Sequence, residues 1–385
     1  MRWRVLALLF LARVGAGLQF QTLGSVGGDL SAAFGITYAE FGLLVGLFMA
    51  PGLVLSIPAG FSGRFASDKV LAAIGMALLA IGGVVAAWAN QSAVIGIGRV
   101  LAGAGFLFAT LYLTKMVVDW FSGKEIATAM SLFVMSWPLG VAVGQVSHVW
   151  IAEIASWRWA FLWASTYCLI ACVALLLLYR VPDGQDAAPV PARTRLSARA
   201  WRLVLLAGLA WGLFNAGYVV FLSFGPPLLE SLGQSPLQAA GIISVASWIM
   251  VFSGAICGLI VDRTGRQTLA VSLCIGLGCV ALLLLPVDGF ALLASVLFGL
   301  FGIAPAGVIM ALAGQALAPA ERAFGMGIFF TVYYAAMVAS PPIAGALFDS
   351  TGQATAPIWW GLAIFAVVLP IYLAFRWIAA RPAPA

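Results

Sequence analysis

The chain has 385 residues, 63% of them hydrophobic and only 8% charged, with a formal net charge of +6 and a mean hydropathy of +1.09. Soluble domains are about half apolar and about a quarter charged, so a soluble enzyme or nucleic-acid-binding domain is excluded as the body of this chain. The unit to count is an apolar span of about 20 residues, which at 1.5 Å per residue crosses a hydrocarbon core of roughly 30 Å.

About twelve such spans follow one another, near residues 5–26, 38–59, 70–90, 92–116, 126–147, 157–180, 202–224, 238–260, 267–285, 288–311, 324–346 and 357–378. The first follows the basic MRWR and carries Arg13 in its apolar core, which reads as a retained helix and not a cleaved leader. After the second comes GFSGRFASDK, Gly60 to Lys69, a short charged turn with Arg64 and Asp68. The fourth holds Arg99 and Lys115, and the fifth contains SWPLGVAVG, where Trp137 and Pro138 predict a kink. His148, the single histidine, reads as interfacial, near the outer end of the fifth span.

The polar stretch RVPDGQDAAPVPARTRLSARAWR, Arg180 to Arg202, divides the chain into six spans plus six. This predicts a first bundle over 1–180, a cytoplasmic linker over 181–201 and a second bundle over 202–385. The eighth span ends in GLIVDRTGRQ, Gly258 to Gln267, which reads as a charged turn carrying Asp262, Arg263, Gly265 and Arg266. With the amino terminus inside, the lysines and arginines fall on the cytoplasmic side and only Arg158 falls outside. The expectation is a multi-pass protein of a bacterial inner membrane with both termini cytoplasmic. Its pI of 9.3 reflects topology and contact with an anionic leaflet, not nucleic acid. The five cysteines lie within spans and show no metal spacing with histidine, so they read as small apolar packing residues, with no metal site and no cofactor.

The halves resemble each other. One shift brings Gly35 onto Gly233 and Gly60 onto Gly258, and a nearly equal one brings KEIATAMSLF, Lys124 to Phe133, onto AERAFGMGIF, Ala320 to Phe329. Gly258-x-x-x-Asp262-Arg263-x-Gly265-Arg266 resembles the signature loop of the major facilitator superfamily of secondary transporters. Arg99-Val-Leu-Ala-Gly103-Ala-Gly105 resembles its fourth-helix motif, and Trp157-Arg158-Trp159-Ala160-Phe161 the start of its sixth helix. More loosely, RWRVLALLFLARVGAGLQFQTL looks like the first helix of the cyanate and nitroimidazole permease branch. The first-half turn departs from the signature, with Arg64 where the second half has Asp262. The resemblance implies an all-α membrane fold, two six-helix bundles related by a pseudo-twofold axis. It also implies a gating latch in which Asp262, Arg263 and Arg266 bond helix ends in one conformation and release them in the other.

Three cations remain inside the membrane: Arg13, Arg99 and Lys115. An arginine at a helix centre costs about 2.5–3.5 kcal/mol on insertion scales and is kept mainly where it meets a cavity or a partner. Arg13 lies about 13 Å into its helix, with Gly17 and Phe20 on its face and Gln21 close by. Cation, ring and amide suit a small anion, although bonding to carbonyls of a neighbouring helix would also explain the arginine. Arg99 is open to two readings, coupling or gating by resemblance and structural bonding to the first helix. Lys115 reads as the i,i+4 partner of Asp119. The second half has no matching charges, so Asn215, Tyr218, Phe330, Tyr333 and Tyr334 are its candidates.

The resulting expectation is an alternating-access carrier of a small, anionic solute, working as a monomer, with exchange or a coupling proton. The competing reading is a proton-coupled drug or metabolite exporter. No HExxH, paired intramembrane aspartates or Ser–His pairing points to an enzyme.

Overall fold

The computed structural model describes residues 2–121, 125–181, 196–317 and 321–381. Among these, regular structure is helical throughout, and twelve helices are long and apolar enough to cross a membrane. They are α1 (Arg2–Ser25), α2 (Tyr38–Ser56), α3 (Asp68–Ala87), α4 (Ser92–Phe121), α5 (Thr128–Ile154) and α6 (Trp157–Leu178). The second six are α7 (Ala198–Ser231), α8 (Pro236–Thr264), α9 (Gln267–Leu284), α10 (Ala291–Gln315), α11 (Phe324–Thr351) and α12 (Ala356–Ala380). Twelve crossings put both termini on one face, here the terminal face; the opposite one is the far face.

The interruptions have local causes. The second span is two helices, Tyr38–Leu47 and Ala50–Phe61, because Pro51 has no N–H to return to Leu47. The fifth breaks at Met135, between Ile126–Val134 and Ser136–Ile154, where Pro138 has no N–H for Val134. The break therefore comes just before the Trp137–Pro138 pair expected to mark it. In α10 a π-wound stretch, Phe298–Gly302, and Pro305 interrupt the spiral.

Two boundaries are corrected. Gly258 to Thr264 is not a turn but the last part of a helix, and only Gly265, with φ +66°, ends it. Glycine tolerates that left-handed conformation without the usual steric penalty. The linker read as 181–201 ends sooner, since α7 begins at Ala198, where the Ser197 side chain accepts the Ala200 N–H. Residues 182–195 of that linker lie outside those described.

Within the first half, α1 packs on α5 and α6, α3 on α4 and α6, and α2 on α4. Within the second, α7 packs on α11 and α12, α8 on α10, and α9 on α12. Between the halves run α2 against α11 and α5 against α8. Exchanging the halves turns one of these pairs into the other, which is the pseudo-twofold relation the repeat predicts.

The two halves are bonded together at the far face. The capping box of Thr37 and Glu40 satisfies two donors at the start of α2. The other two, the N–H groups of Tyr38 and Ala39, donate to Asp349 of α11 at 3.0 and 2.8 Å. Tyr38 stacks on Phe348 with ring centroids 3.7 Å apart. Below them Gly345 sits against the Tyr38 carbonyl and Gly42 against that of Pro341, so closely that a Cβ at either position would meet backbone.

Candidate functional site

Arg13 is half-buried on α1, facing the break in α5. Its Nη1 donates to the Phe133 carbonyl at 3.1 Å, and its guanidinium carbon lies 4.8 Å from the Phe133 ring centroid. The interruption of α5 supplies that acceptor: the Phe133 carbonyl takes a bond from the Ser136 hydroxyl as well. The Nε of Arg13 is buried without a hydrogen-bond partner, and among the described residues Arg13 forms no ion pair. From the second half, Tyr333 of α11 stands within electrostatic reach of the guanidinium.

Tyr333 belongs to an aromatic wall. Its ring centroid lies 4.8 Å from that of Tyr334, 6.2 Å from Trp211 and 6.3 Å from Phe330. Tyr334 packs on Gly52 of α2, where a Cβ would come within 2.5 Å of the ring. Tyr334 thus meets α2 across the seam between the halves, and Tyr333 beside it lies within electrostatic range of Arg13. Phe20 is not part of that group.

Arg99 is expected among the solute contacts, and its geometry is that of a clamp. It is 2% exposed. Its Nε donates to the Leu44 carbonyl at 3.3 Å, Nη1 to Gln19 at 3.0 Å and to Phe20 at 3.3 Å, and Nη2 to Phe20 at 3.3 Å. Phe48 covers it at 4.4 Å and Phe20 at 5.9 Å. Of the two readings left open, bonding to the first helix describes this conformation, because every described contact of the guanidinium lies within the first half.

Other candidates also sit elsewhere than expected. The Tyr218 hydroxyl is buried at 2.7 Å from that of Ser247, inside the second half. Asn215 donates 2.8 Å back to the Trp211 carbonyl on its own helix. Lys115 pairs with Asp68 of α3 at 2.8 Å, not with Asp119. Gln21 is buried with Nε2 at 3.4 Å from the Ser25 hydroxyl, and that hydroxyl is at 3.4 Å from the Gly144 carbonyl. His148 is fully buried and not interfacial, since the glycine stripe of α5 draws it against α1.

At the terminal face Asp262, Arg263, Gly265 and Arg266 are exposed. Asp262 lies in the last turn of α8, not at a helix amino terminus, so its own helix dipole opposes the charge. Arg64 closes a short 3₁₀ turn, Ser62–Arg64, and its side chain lies outside those described.

At the far face, sequence reasoning missed a polar group. Gln145 is fully buried, and neither of its amide atoms meets a partner. Asp29, on the same face, belongs to the short helix Gly27–Phe34. Burial first, and the neighbouring Glu153 second, raise its carboxyl above the ordinary value. The signal for Gln145 was present in the sequence, an amide within a predominantly apolar span.

The sequence model of the Major Facilitator Superfamily matches residues 9–315. The chain is 29% identical over 310 residues to a probable 4-methylmuconolactone transporter of Cupriavidus pinatubonensis, covering 74% of this chain and 68% of that one. It is 24% identical over 356 residues to the 3-(3-hydroxy-phenyl)propionate transporter of Escherichia coli, covering 88% and 85%. In fold it is similar, with a TM-score of 0.74 at 16% identity over 100% of this chain and 99% of the other, to an inward-facing bacterial homolog of the human lysosomal transporter Spinster. The twelve spans, their exchange symmetry and these matches lead to one conclusion: the chain belongs to the major facilitator superfamily of small-solute membrane transporters.

Proposed function

We propose that the chain is an alternating-access carrier of a small organic anion, with Arg13 as the anion contact and Tyr333 and Tyr334 as its wall on the opposite half. The observation that carries this is the unpartnered Nε of Arg13, a charge-bearing donor at the seam with no carboxylate paired to it among the described residues. A carboxylate would take two parallel bonds from such a fork. The similar carriers, named for a lactone and for a hydroxyphenyl acid, support a ring-bearing organic solute, and the aromatic wall gives a ring a surface.

The far-face bonds support reading this as an inward-facing state, in the orientation that positive charge predicts for the loops. In it the Asp262–Arg266 group is released; when the terminal face closes, its charges would find helix ends of the opposite half. A monomer suffices, because the seam lies within one chain. Coupling falls to exchange or to a proton carried with the solute.

The test is a thermal-stabilisation and proteoliposome uptake panel of small carboxylates, led by 3-(3-hydroxyphenyl)propionate. Arg13→Ala is expected to weaken binding at least tenfold, with partial recovery in Arg13→Lys. Intact uptake in Arg13→Ala, together with stabilisation by cationic drugs alone, would overturn the reading and favour the exporter, to which the same aromatic wall is suited.

A further inference from the structure

A second polar locus lies between the halves, on the far-face side of Arg13. A cavity of about 50 Å³ is lined there by Ser25 of α1, Gln145 of α5 and Glu230 of α7, with Tyr38, Phe41 and Pro226 among its apolar walls. That is room for about three water-sized groups. Both amide atoms of Gln145 are without partners at 0% exposure. One turn on, His148 is equally enclosed, and neither ring nitrogen has a partner. The cluster crosses the seam: a Cβ on Gly24 would stand 3.0 Å from the Gln21 Nε2 and 3.6 Å from the Ser223 hydroxyl of α7. A Cβ on Gly144 would stand 3.1 Å from the His148 ring and 3.2 Å from the Gln21 Cβ.

Buried polar groups are almost always bonded, so unpartnered ones side by side mark a place that a polar partner would fill. The residue types define that partner. A primary amide presents two donors and an acceptor, and a neutral imidazole presents one of each whichever tautomer it adopts. A carboxylate would leave the acceptors unmet and would face Glu230 across the cavity. An ammonium would leave the donors unmet. A hydroxyl donates and accepts at once, and so satisfies both kinds of group.

We propose that Gln145 and His148, with Gln21, Ser25 and Ser223 around them, form an outer subsite that takes a hydroxyl group of the solute when the far face is open. The cavity contracts when the face closes, which drives the hydroxyl out of it. This deepens the anion-carrier reading, and rests on it only for the charged end of the solute.

The single histidine of the chain gives the test one unambiguous imidazole signal. Histidine labelled with ¹⁵N is followed by NMR in the native chain and in Gly345→Leu, whose side chain would hold α2 off α11. The signal is expected to move in Gly345→Leu as water reaches the ring, and an identical signal in both proteins overturns the subsite. In the opened variant, uncharged 3-methylphenol is expected to move the signal further and toluene to leave it in place; equal effects overturn the hydroxyl assignment. Adding Gln145→Leu should abolish the 3-methylphenol shift, while melting temperature is kept or raised because unmet groups have been removed. A shift that persists undiminished in Gln145→Leu overturns the role of that amide. Adding Arg13→Ala should leave the 3-methylphenol shift intact while removing stabilisation by 3-phenylpropionate. A failure of the anion contact is thereby told apart from a failure of the outer subsite.

Discussion

Two arginines that look alike in the sequence have opposite roles in the fold. Arg99 joins α4 to α1 and α2 through three carbonyls, and hydrogen bonds from a charged group contribute roughly 1.5–3 kcal/mol each. Arg99→Met should therefore lower stability by roughly 3 kcal/mol or more, read as a clear fall in the melting temperature of the detergent-solubilised protein. Arg99→Lys should recover little of it, because an ammonium cannot reproduce the fork. Arg13 has one carbonyl partner and an unpartnered Nε, so Arg13→Ala should barely change the melting temperature while abolishing anion-induced stabilisation. An equal stability loss in both variants would contradict this division. Composition and span counting could locate both cations, because charge in an apolar run is conspicuous. They could not separate the roles, since the separation depends on which carbonyls a broken helix leaves free on neighbouring elements. Lys115 makes the same point: Asp119 is its helical neighbour, yet Asp68 of α3 is the acid it reaches.

At the scale of elements, α2 against α11 is one of the helix pairs that join the halves, and it carries the Asp349 bonds at the far face. Gly345 fits under the Tyr38 carbonyl because it has no side chain, and backbone on the other side cannot yield. Gly345→Leu should accordingly separate these helices and shift the population toward an outward-open form. A pair of spin labels on the α2 and α11 ends of the far face would report it as a longer distance; an unchanged distance would show that the closure does not depend on this contact. The helices themselves were readable from the sequence, because apolar runs of the required length have few alternatives. Their ends were less so. GLIVDRTGRQ reads as a loop for its charge and glycines, but the helix of α8 continues until Gly265 adopts a positive φ. That Gln21 of α1 lies against α5 was not legible, since the small residues around it signal close packing without naming what is packed.

Over the whole molecule, closure gathers acids. Burial first, and the charge of Glu153 second, raise the carboxyl of Asp29 in the first half, and the charge of Asp29 in turn reaches Glu230 of the second, while Asp349 is occupied by α2. A carboxyl whose folded value is raised is favoured in its protonated form. The closed far face therefore gains as pH falls through the raised value of Asp29 and loses as the group ionises. Acidification should shift the labelled pair toward the short distance, and Asp29→Asn should reduce that dependence. A distance distribution insensitive to pH in the native protein would count against it. The architecture as a whole was the most legible level, because duplication leaves matching residues such as Gly35 and Gly233 at equivalent corners.

The bond from Asp349 to α2 has one more implication. A helix normally completes its first turn with residues of its own segment or with solvent, but here half of that turn is finished by the opposing bundle. Whenever the carrier turns outward, two amide protons at a positive helix end are uncovered at the mouth of the pathway. The transition that admits cargo thus also unveils two amide donors beside the Glu40 carboxylate, and a visitor able to accept hydrogen bonds would encounter them before reaching the interior.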